Sequence, residues 1–286
     1  MDPGEIALTD REFERIKRRV YQVAGISLSD AKRTLVVSRL LKVVKKLGFS
    51  SFDAYVDHLE SQDSEEDAQD FVNALTTNLT RFYREDHHFD HLRHHVETLM
   101  DKRPRIGAGG RPRLRIWSAG CSTGQEPYTI ALCLLSALPD LKRWDFRILA
   151  TDIDTSVLAK AALGIYPESE IVGLSADRAA PFERLGNGTI RVPAAARERI
   201  SFKPLNLIEP WPVKGPFDAI FCRNVAIYFD KPTQGEVFTR FNTVLAPDGF
   251  LYIGHSENLG SSAADFRLVG KTIYQPRGQQ RARNAA

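Results

Sequence analysis

Four apolar, strand-like stretches of this chain end in polar or very small residues, and that recurrence is its main chemical signal. "LRIWSAG" runs into "CSTGQEP", where Gly120 and Gly124 bracket a turn into a helix. Small residues let a ligand approach the backbone, and a helix start offers free N–H groups. The spacing is neither GxGxxG nor the Gly-Lys-Ser/Thr of a Walker loop. The strand in "FRILATDID" ends in Asp152, the first of its two aspartates, where a carboxylate can grip ribose hydroxyls. "ISFKPLNL" sets Asn206 after a third strand, and its amide can donate and accept together, as an adenine edge requires. "FDAIFCRNV" brings Arg223 and Asn224, then Tyr228, to the end of a fourth. Polar groups at consecutive strand ends converge on one crevice. Their chemistry suits a nucleoside ligand, with little provision for phosphates.

A fifth stretch, "TNLTRFYRE" from Thr77 to Glu85, concentrates an amide, hydroxyls, two arginines and two aromatics ahead of the first of these strands.

Strands alternating with helices from about residue 113 predict an α/β fold, a parallel sheet wound with helices on both faces. Its ligand site belongs at the carboxyl ends of the strands. The first 75 residues read as helices alone. Phe13, Ile16, Val20 and Val23 recur at helical spacing, as do Leu35, Val36, Leu40, Leu41, Val43, Val44 and Leu47, with Gly48 as a stop. Ser50 or Ser51 is the expected cap of the next helix. The alternation breaks between about residues 181 and 199, where "RLGNGTIRVP" predicts a small β insert turning at Asn187-Gly188. The expected domains are 1–75, 76–276 with that insert, and a basic disordered tail over 277–286.

The chain has 286 residues, 43% of them apolar and 26% charged, enough to bury a sizeable core. No apolar run is long enough to span a membrane, and "MDPGEIALTDREFER" lacks a signal-peptide pattern. Cys121, Cys133 and Cys222 form no CxxC pair and read as reduced thiols, so a cytoplasmic location is expected. Net charge is only +3, but residues 11–46 hold eleven Lys/Arg against three acids, while 51–75 hold eight acids and no Lys or Arg. A basic helix of this kind is a solvated face or a dock for an acidic partner.

"HHFDHLRHH" holds His87, His88, His91, His94 and His95. Without a nearby cysteine it reads as a solvated helix face, and no metal is expected. His255 and Ser256-Glu257-Asn258 are catalytic types, but their adjacency in sequence makes no triad, and they read as a strand end bordering the crevice.

Taken together, "TNLTRFYRE", "WSAGCSTGQEPY", "ATDID", "GPFDAIFCRNVAIYFDK", "LAPDG" and "GHSEN" resemble, in order, the chemotaxis receptor methyltransferases of the CheR family. The likeness runs from about residue 10 to 275. It implies a class I S-adenosylmethionine-dependent methyltransferase, with a Rossmann-like doubly wound sheet and an N-terminal all-helical domain. The implied activity is that of a protein-glutamate O-methyltransferase, forming glutamate methyl esters on receptors and releasing S-adenosyl-L-homocysteine. By resemblance, Asn78, Thr80 and Arg84 lie against the cofactor. Ala119 and Gly120 line its methionine side with Glu126 nearby. Asp152 holds the ribose, Asn206 and Leu207 flank the adenine, and Arg223 with Asn224 completes the pocket. Arg84 and Tyr228 are the family's residues for methyl transfer.

The chemistry needs neither base nor metal. A glutamate side chain is already an anion at neutral pH, a sulfonium is an excellent leaving group, and in-line displacement asks chiefly for placement. Arg84 can orient a carboxylate by a forked pair, that of the cofactor or of the substrate.

The resemblance also gives the basic helix a partner. Glutamate-rich methylation helices of chemoreceptors would dock on Arg33, Arg39, Lys42, Lys45 and Lys46. "FERLGNGTIRV" is shorter than the loop with which some family members bind a receptor's C-terminal peptide, so tail-independent action is expected. Two other functions fit the sequence less well. A nucleic-acid methyltransferase would carry an Asn/Asp-Pro-Pro-aromatic motif where this chain has Arg223-Asn224-Val225. A non-catalytic module would have lost Arg84, Asp152 or Tyr228.

Overall fold

Five helices precede the first strand. In the computed structural model, which describes residues 6–61, 65–102 and 110–277, α1 spans Asp10–Ala24, α2 Arg33–Lys46, α3 Phe52–Glu60, α4 Glu65–Leu75 and α5 His87–Lys102. Local chemistry sets their ends. Thr9 and Glu12 form a capping box at the start of α1, and Gly25 closes it at φ +68°. Ser51, not Ser50, caps α3 by accepting from the Ala54 N–H. The apolar stripes of α1 to α4 meet in one core that includes Ile16, Val20, Leu40, Val44, Phe52, Tyr55 and Phe71. Each large side chain buried there contributes roughly 1.5–3 kcal/mol.

The uneven charge is partly consumed inside this bundle. Arg15 pairs with Asp53 and reaches Asp57 and Glu60 of α3 at 2.7 and 2.6 Å. Lys46 lies 3.5 Å from Asp70 of α4.

Beyond α5 the elements are β1 (Arg113–Ala119), α6 (Gln125–Ala137), β2 (Asp145–Asp152), α7 (Thr155–Leu163), β3 (Ile165–Pro167), α8 (Ala176–Ala179), β4 (Glu183–Arg184), β5 (Thr189–Arg191), α9 (Ala194–Arg197), β6 (Ile200–Pro204), β7 (Phe217–Cys222), α10 (Lys231–Val244), β8 (Leu245–Ile253), β9 (Phe266–Gly270) and β10 (Ile273–Pro276). The main sheet runs β6-β2-β1-β7-β8-β10-β9. β6 through β8 in that order are parallel, and β10 and β9 close the edge antiparallel. Every residue of β7 is buried, as a central parallel strand requires. Along β1 the faces alternate: Ile116 joins the core under α5 and α6, and Trp117 the core under α10. The expected doubly wound α/β sheet is therefore present. Strand order reverses at β1, with β2 on one side and β7 on the other.

Three details differ from expectation. The insert is larger than residues 181–199, because a small sheet of order β3-β5-β4 begins at Ile165. Gly164 ends α7 in the left-handed region, and "IYP" pairs antiparallel with β5. Three residues are too few to show a period of two. β9 and β10 were not foreseen. The histidine run on α5 is no solvated face: His88 is fully buried and His95 nearly so. His88 Nε2 lies 3.1 Å from both the Lys271 carbonyl and Thr272 Oγ1, and His91 Nδ1 is 2.9 Å from the Tyr252 hydroxyl. The turn between β9 and β10 packs on His88, β8 packs on His91 and His95 through Tyr252 and Phe250, and His94 stays exposed.

The glycine-bearing residues 105–109 and the tail from 278 lie outside the described residues. Among those described, no helix is long and apolar enough to cross a membrane. No group of three or more His, Cys, Asp or Glu there is arranged to hold a metal ion. The three cysteines are free.

Candidate active site

The carboxyl ends of β6, β2, β1 and β7 open into one crevice of about 1020 Å³, measured out to its open mouth. Asn78, Thr80, Arg84, Gly120, Glu126, Asp152, Asn206, Leu207, Arg223, Asn224 and Tyr228 all line it. Ala119 does not. It is fully buried in the layer beneath, one residue too early on β1.

Gly120 forms the floor. Its φ is +84°, and a Cβ there would lie 2.2 Å from Val225 Cγ2. Only glycine lets the β1 and β7 loops approach this closely without strain. Asp152 sits beside it, 8% exposed. Its Oδ2 accepts from the Ser122 N–H at 2.7 Å and its Oδ1 from the Asp154 N–H at 2.9 Å. Burial pushes this carboxyl above its usual range, and the two amides oppose that rise. Each oxygen keeps a lone pair for a ligand hydroxyl.

Glu126, on the first turn of α6, accepts from Ser118 Oγ at 2.7 Å and pairs with Arg223 Nη1 at 3.4 Å. Burial raises its carboxyl too, while the arginine draws it down. Arg223 is almost wholly enclosed, its guanidinium 5.4 Å over the Phe89 ring. Asn224 has φ +60°. Its N–H donates to Glu257 Oε2 at 2.8 Å, and the same carboxylate accepts from Gly254 and Ile227 N–H groups at 2.5 and 3.2 Å. Glu257 of "GHSEN" thus ties the loop after β7 to the end of β8. The sequence had marked it only as bordering the crevice.

Two expected contacts are spent elsewhere. Asn206 does not offer an adenine its donor: Nδ2 binds the Val23 carbonyl at 2.8 Å and Glu209 Oε1 at 3.0 Å, and Oδ1 accepts from Ile208 N–H at 3.3 Å. Asn78 Nδ2 donates to Asp154 Oδ2 and Thr76 Oγ1, at 2.8 and 3.1 Å, which leaves only its Oδ1 for a ligand. Neither partner was foreseeable, because Val23 and Asp154 are remote in sequence.

The helical bundle is itself a wall of the site. Ala24 and Ile26 line the crevice. Ser27 N–H donates to the Tyr228 carbonyl at 2.8 Å, Gln69 Nε2 to the Ile153 carbonyl at 2.8 Å, and Tyr21 Oη to Asp230 at 2.8 Å. Sequence reasoning gave this bundle only a docking task. No local signal marks Ala24 or Ile26, which are ordinary small and apolar residues. Arg81 also lines the crevice, beside Arg84, while Phe82 is buried in the core as its type suggests. The cationic side of the crevice thus holds Arg81, Arg84 and Arg223 against Glu126 and Asp152.

Of the five basic residues read as a dock, three are engaged internally, Lys46 with Asp70 as described above. Arg33 Nη1 pairs with Asp10 at 2.6 Å, and Arg39 Nη1 donates to the carbonyls of Leu75 and Thr76 at 3.0 and 2.6 Å, closing the C-terminus of α4. Lys42, Lys45 and Lys46 are exposed.

The crevice can take a nucleoside, with a glycine floor that admits close approach and with Asp152, Glu126 and Arg223 setting charged groups on its lining. Comparison with known proteins agrees. Residues 78–275 match the family model described as CheR methyltransferase, SAM binding domain, and residues 11–76 match CheR methyltransferase, all-alpha domain. A chemotaxis protein methyltransferase of Salmonella typhimurium is 44% identical over 275 residues, covering 94% of this chain and 91% of that one. A probable chemotaxis protein methyltransferase of Rhizobium etli is 45% identical, covering 90% and 96%. Among solved structures, an S-adenosylmethionine-dependent methyltransferase from Mesorhizobium loti is 18% identical with a TM-score of 0.28, covering 58% of this chain and 54% of that one, too loose a likeness to bear on the assignment. With both family domains matched in order and near full-length relatives above 40% identity, the chain belongs to the CheR methyltransferase family.

Proposed function

We propose that this protein methylates glutamate carboxylates of chemotaxis receptors in the cytoplasm, acting as a protein-glutamate O-methyltransferase. In this reading residues 1–75 dock the receptor and 76–276 carry the chemistry. The observation that carries the proposal is the meeting of Arg84 and Tyr228, far apart in sequence, on the lining of a crevice whose interior suits S-adenosylmethionine.

Bound there, S-adenosylmethionine supplies an electrophilic methyl group. The chain's own residues position the acceptor. Arg84 Nη1 donates to the Leu79 carbonyl at 2.9 Å and its Nε lies 3.9 Å from Glu85 Oε1, which leaves Nη2 to orient a carboxylate. The Tyr228 hydroxyl reaches the Thr77 carbonyl only at 3.4 Å, a weak bond that an incoming oxygen can replace. An acceptor carboxylate is ionised at neutral pH, so no side chain has to remove a proton. Leu79, 80% exposed and on the crevice lining, offers apolar contact there.

Lys42, Lys45 and Lys46 on α2 provide the positive face that would attract a glutamate-rich helix. Action without a receptor tail peptide is supported by the short Leu185–Gly188 connection between β4 and β5.

The test is incubation with methyl-labelled S-adenosylmethionine and receptor signalling fragments. Base-labile label in the receptor is expected, and its loss in Arg84→Ala. Label in nucleic acid, or full activity of Arg84→Ala, would overturn the reading. Micromolar binding of a receptor-tail peptide would overturn tail independence alone.

A further inference from the structure

Arg84 is flanked by two non-glycine residues in the left-handed region, Tyr83 at φ +57° and Glu85 at φ +56°. Such backbone persists only where surrounding contacts enforce it. On one side, Tyr83 N–H donates to Thr129 Oγ1 at 3.2 Å, and its ring lies 4.6 Å from the Arg178 guanidinium. On the other, the Glu85 side chain is only 12% exposed. Its Oε1 is 3.0 Å from His255 Nδ1 and 3.9 Å from the Arg84 Nε itself, and its Oε2 is 3.4 Å from Arg223 Nη2 and 3.8 Å from His88 Nδ1.

Arg223 Nη2 also donates to the backbone carbonyl of Arg84. The Glu85 carboxylate, the Arg223 guanidinium and the Arg84 peptide therefore close a small ring. Glu85 Oε2, Arg223 Nε and His88 Nδ1 have no aligned hydrogen-bond partner among the described residues, so charge rather than hydrogen-bond geometry ties Glu85 to Arg223. Burial alone would favour the neutral acid. His255 and Arg223 outweigh it and hold the carboxyl below its usual range. Glu85 does not line the crevice, and His255, 72% exposed, holds it from the solvent side.

We propose that Glu85 is a positioning residue for Arg84. Through Arg223 and His255 it fixes the peptide from which the Arg84 side chain reaches the crevice. This rests on the role given to Arg84 above. The plainer alternative is that Glu85 only neutralises the buried Arg223 charge. The two differ in whether the effect passes through the Arg84 side chain.

A double-mutant cycle separates them. Affinity for S-adenosylhomocysteine and kcat/KM for methyl transfer are measured for wild type, Glu85→Gln, Arg84→Ala and the double variant. Glu85→Gln is expected to lower both quantities about 10-fold in the wild-type background and less than about 2-fold beside Arg84→Ala. Equal loss in both backgrounds, or no loss in the first, would overturn the proposal. If Glu85→Gln does not fold, His255→Ala cuts the exposed tie alone, and the same cycle expects about a 3-fold loss that vanishes without Arg84. The binding arm judges Glu85 even if receptor methylation fails in wild type, an outcome that would remove the functional reading instead.

Discussion

Asn78 Nδ2 donates to Asp154 Oδ2 at 2.8 Å, joining the segment that carries Arg84 to the end of β2. Thr76 Oγ1 reaches the same oxygen at 2.7 Å, while Asp154 Oδ1 caps α7 by accepting from the Ser156 N–H at 2.9 Å. One carboxylate thus caps a helix and holds the entry to the active-site segment. Asp154→Ala should cost about 1–2 kcal/mol through the lost cap and should also weaken cofactor affinity. Thermal unfolding and calorimetric titration with S-adenosylhomocysteine check the two effects. Normal affinity in a destabilised variant would restrict Asp154 to the cap.

Gly120→Ala should lower cofactor affinity at least about 10-fold and destabilise the protein by about 1–3 kcal/mol, since the new methyl overlaps Val225 at a left-handed φ. Adding Val225→Ala should recover part of the stability, because it removes the overlap and leaves the backbone strain. Urea unfolding of both variants reads this directly. Full recovery would mean that φ carries no cost here.

Tyr228→Phe should lower kcat about 10-fold with Tm unchanged within about 1 °C, because among the described residues the hydroxyl makes a single long bond. Steady-state kinetics with a receptor fragment gives the split. An unchanged kcat would make Tyr228 a wall residue.

Acid should destabilise the protein partly through His95, whose burial pushes its imidazole down to about 4. Its folded value lies below the unfolded one, so below about 6.5 the unfolded chain takes up the proton first. Stability is lost as pH falls through the window from about 6.5 to 4. His95→Phe keeps an aromatic ring against Phe250, 4.6 Å from the present one. It should flatten the slope by at most about 1.4 kcal/mol per pH unit. Urea midpoints at a series of pH values test it, and an unaltered slope would exclude His95.

Reversing Lys42, Lys45 and Lys46 to glutamate should raise KM for a receptor fragment several-fold at low salt, less at high salt, and leave cofactor affinity intact. Arg39→Glu should differ. It removes the ties to Leu75 and Thr76 beside the crevice, so it should lower Tm and cofactor affinity together. If all four substitutions behave alike, α2 is one uniform electrostatic face.

By itself, the sequence determined the alternation of strands and helices and the chemistry at their ends. Gly120, Asp152, Arg223 and Tyr228 were legible because small or polar residues after apolar runs are local features, and a parallel sheet must gather its strand ends on one side; Glu126, on the helix beyond, came only through the family resemblance. The helical bundle was legible for the same reason, since a period near 3.6 is written in consecutive residues. Tertiary structure alone decided what those side chains have left to offer. The Asn206 amide is consumed by Val23 and Glu209, the Asn78 amide by Asp154, and Arg39 by the end of α4. His88 is buried under the β9–β10 turn and His95 against Phe250 of β8, which the composition of the run does not announce. Hydrogen-bond partners and burial come from segments distant in sequence, where no local periodicity carries the information. The helical bundle became a wall of the site for that reason, through Ala24, Ile26 and the Ser27–Tyr228 backbone bond.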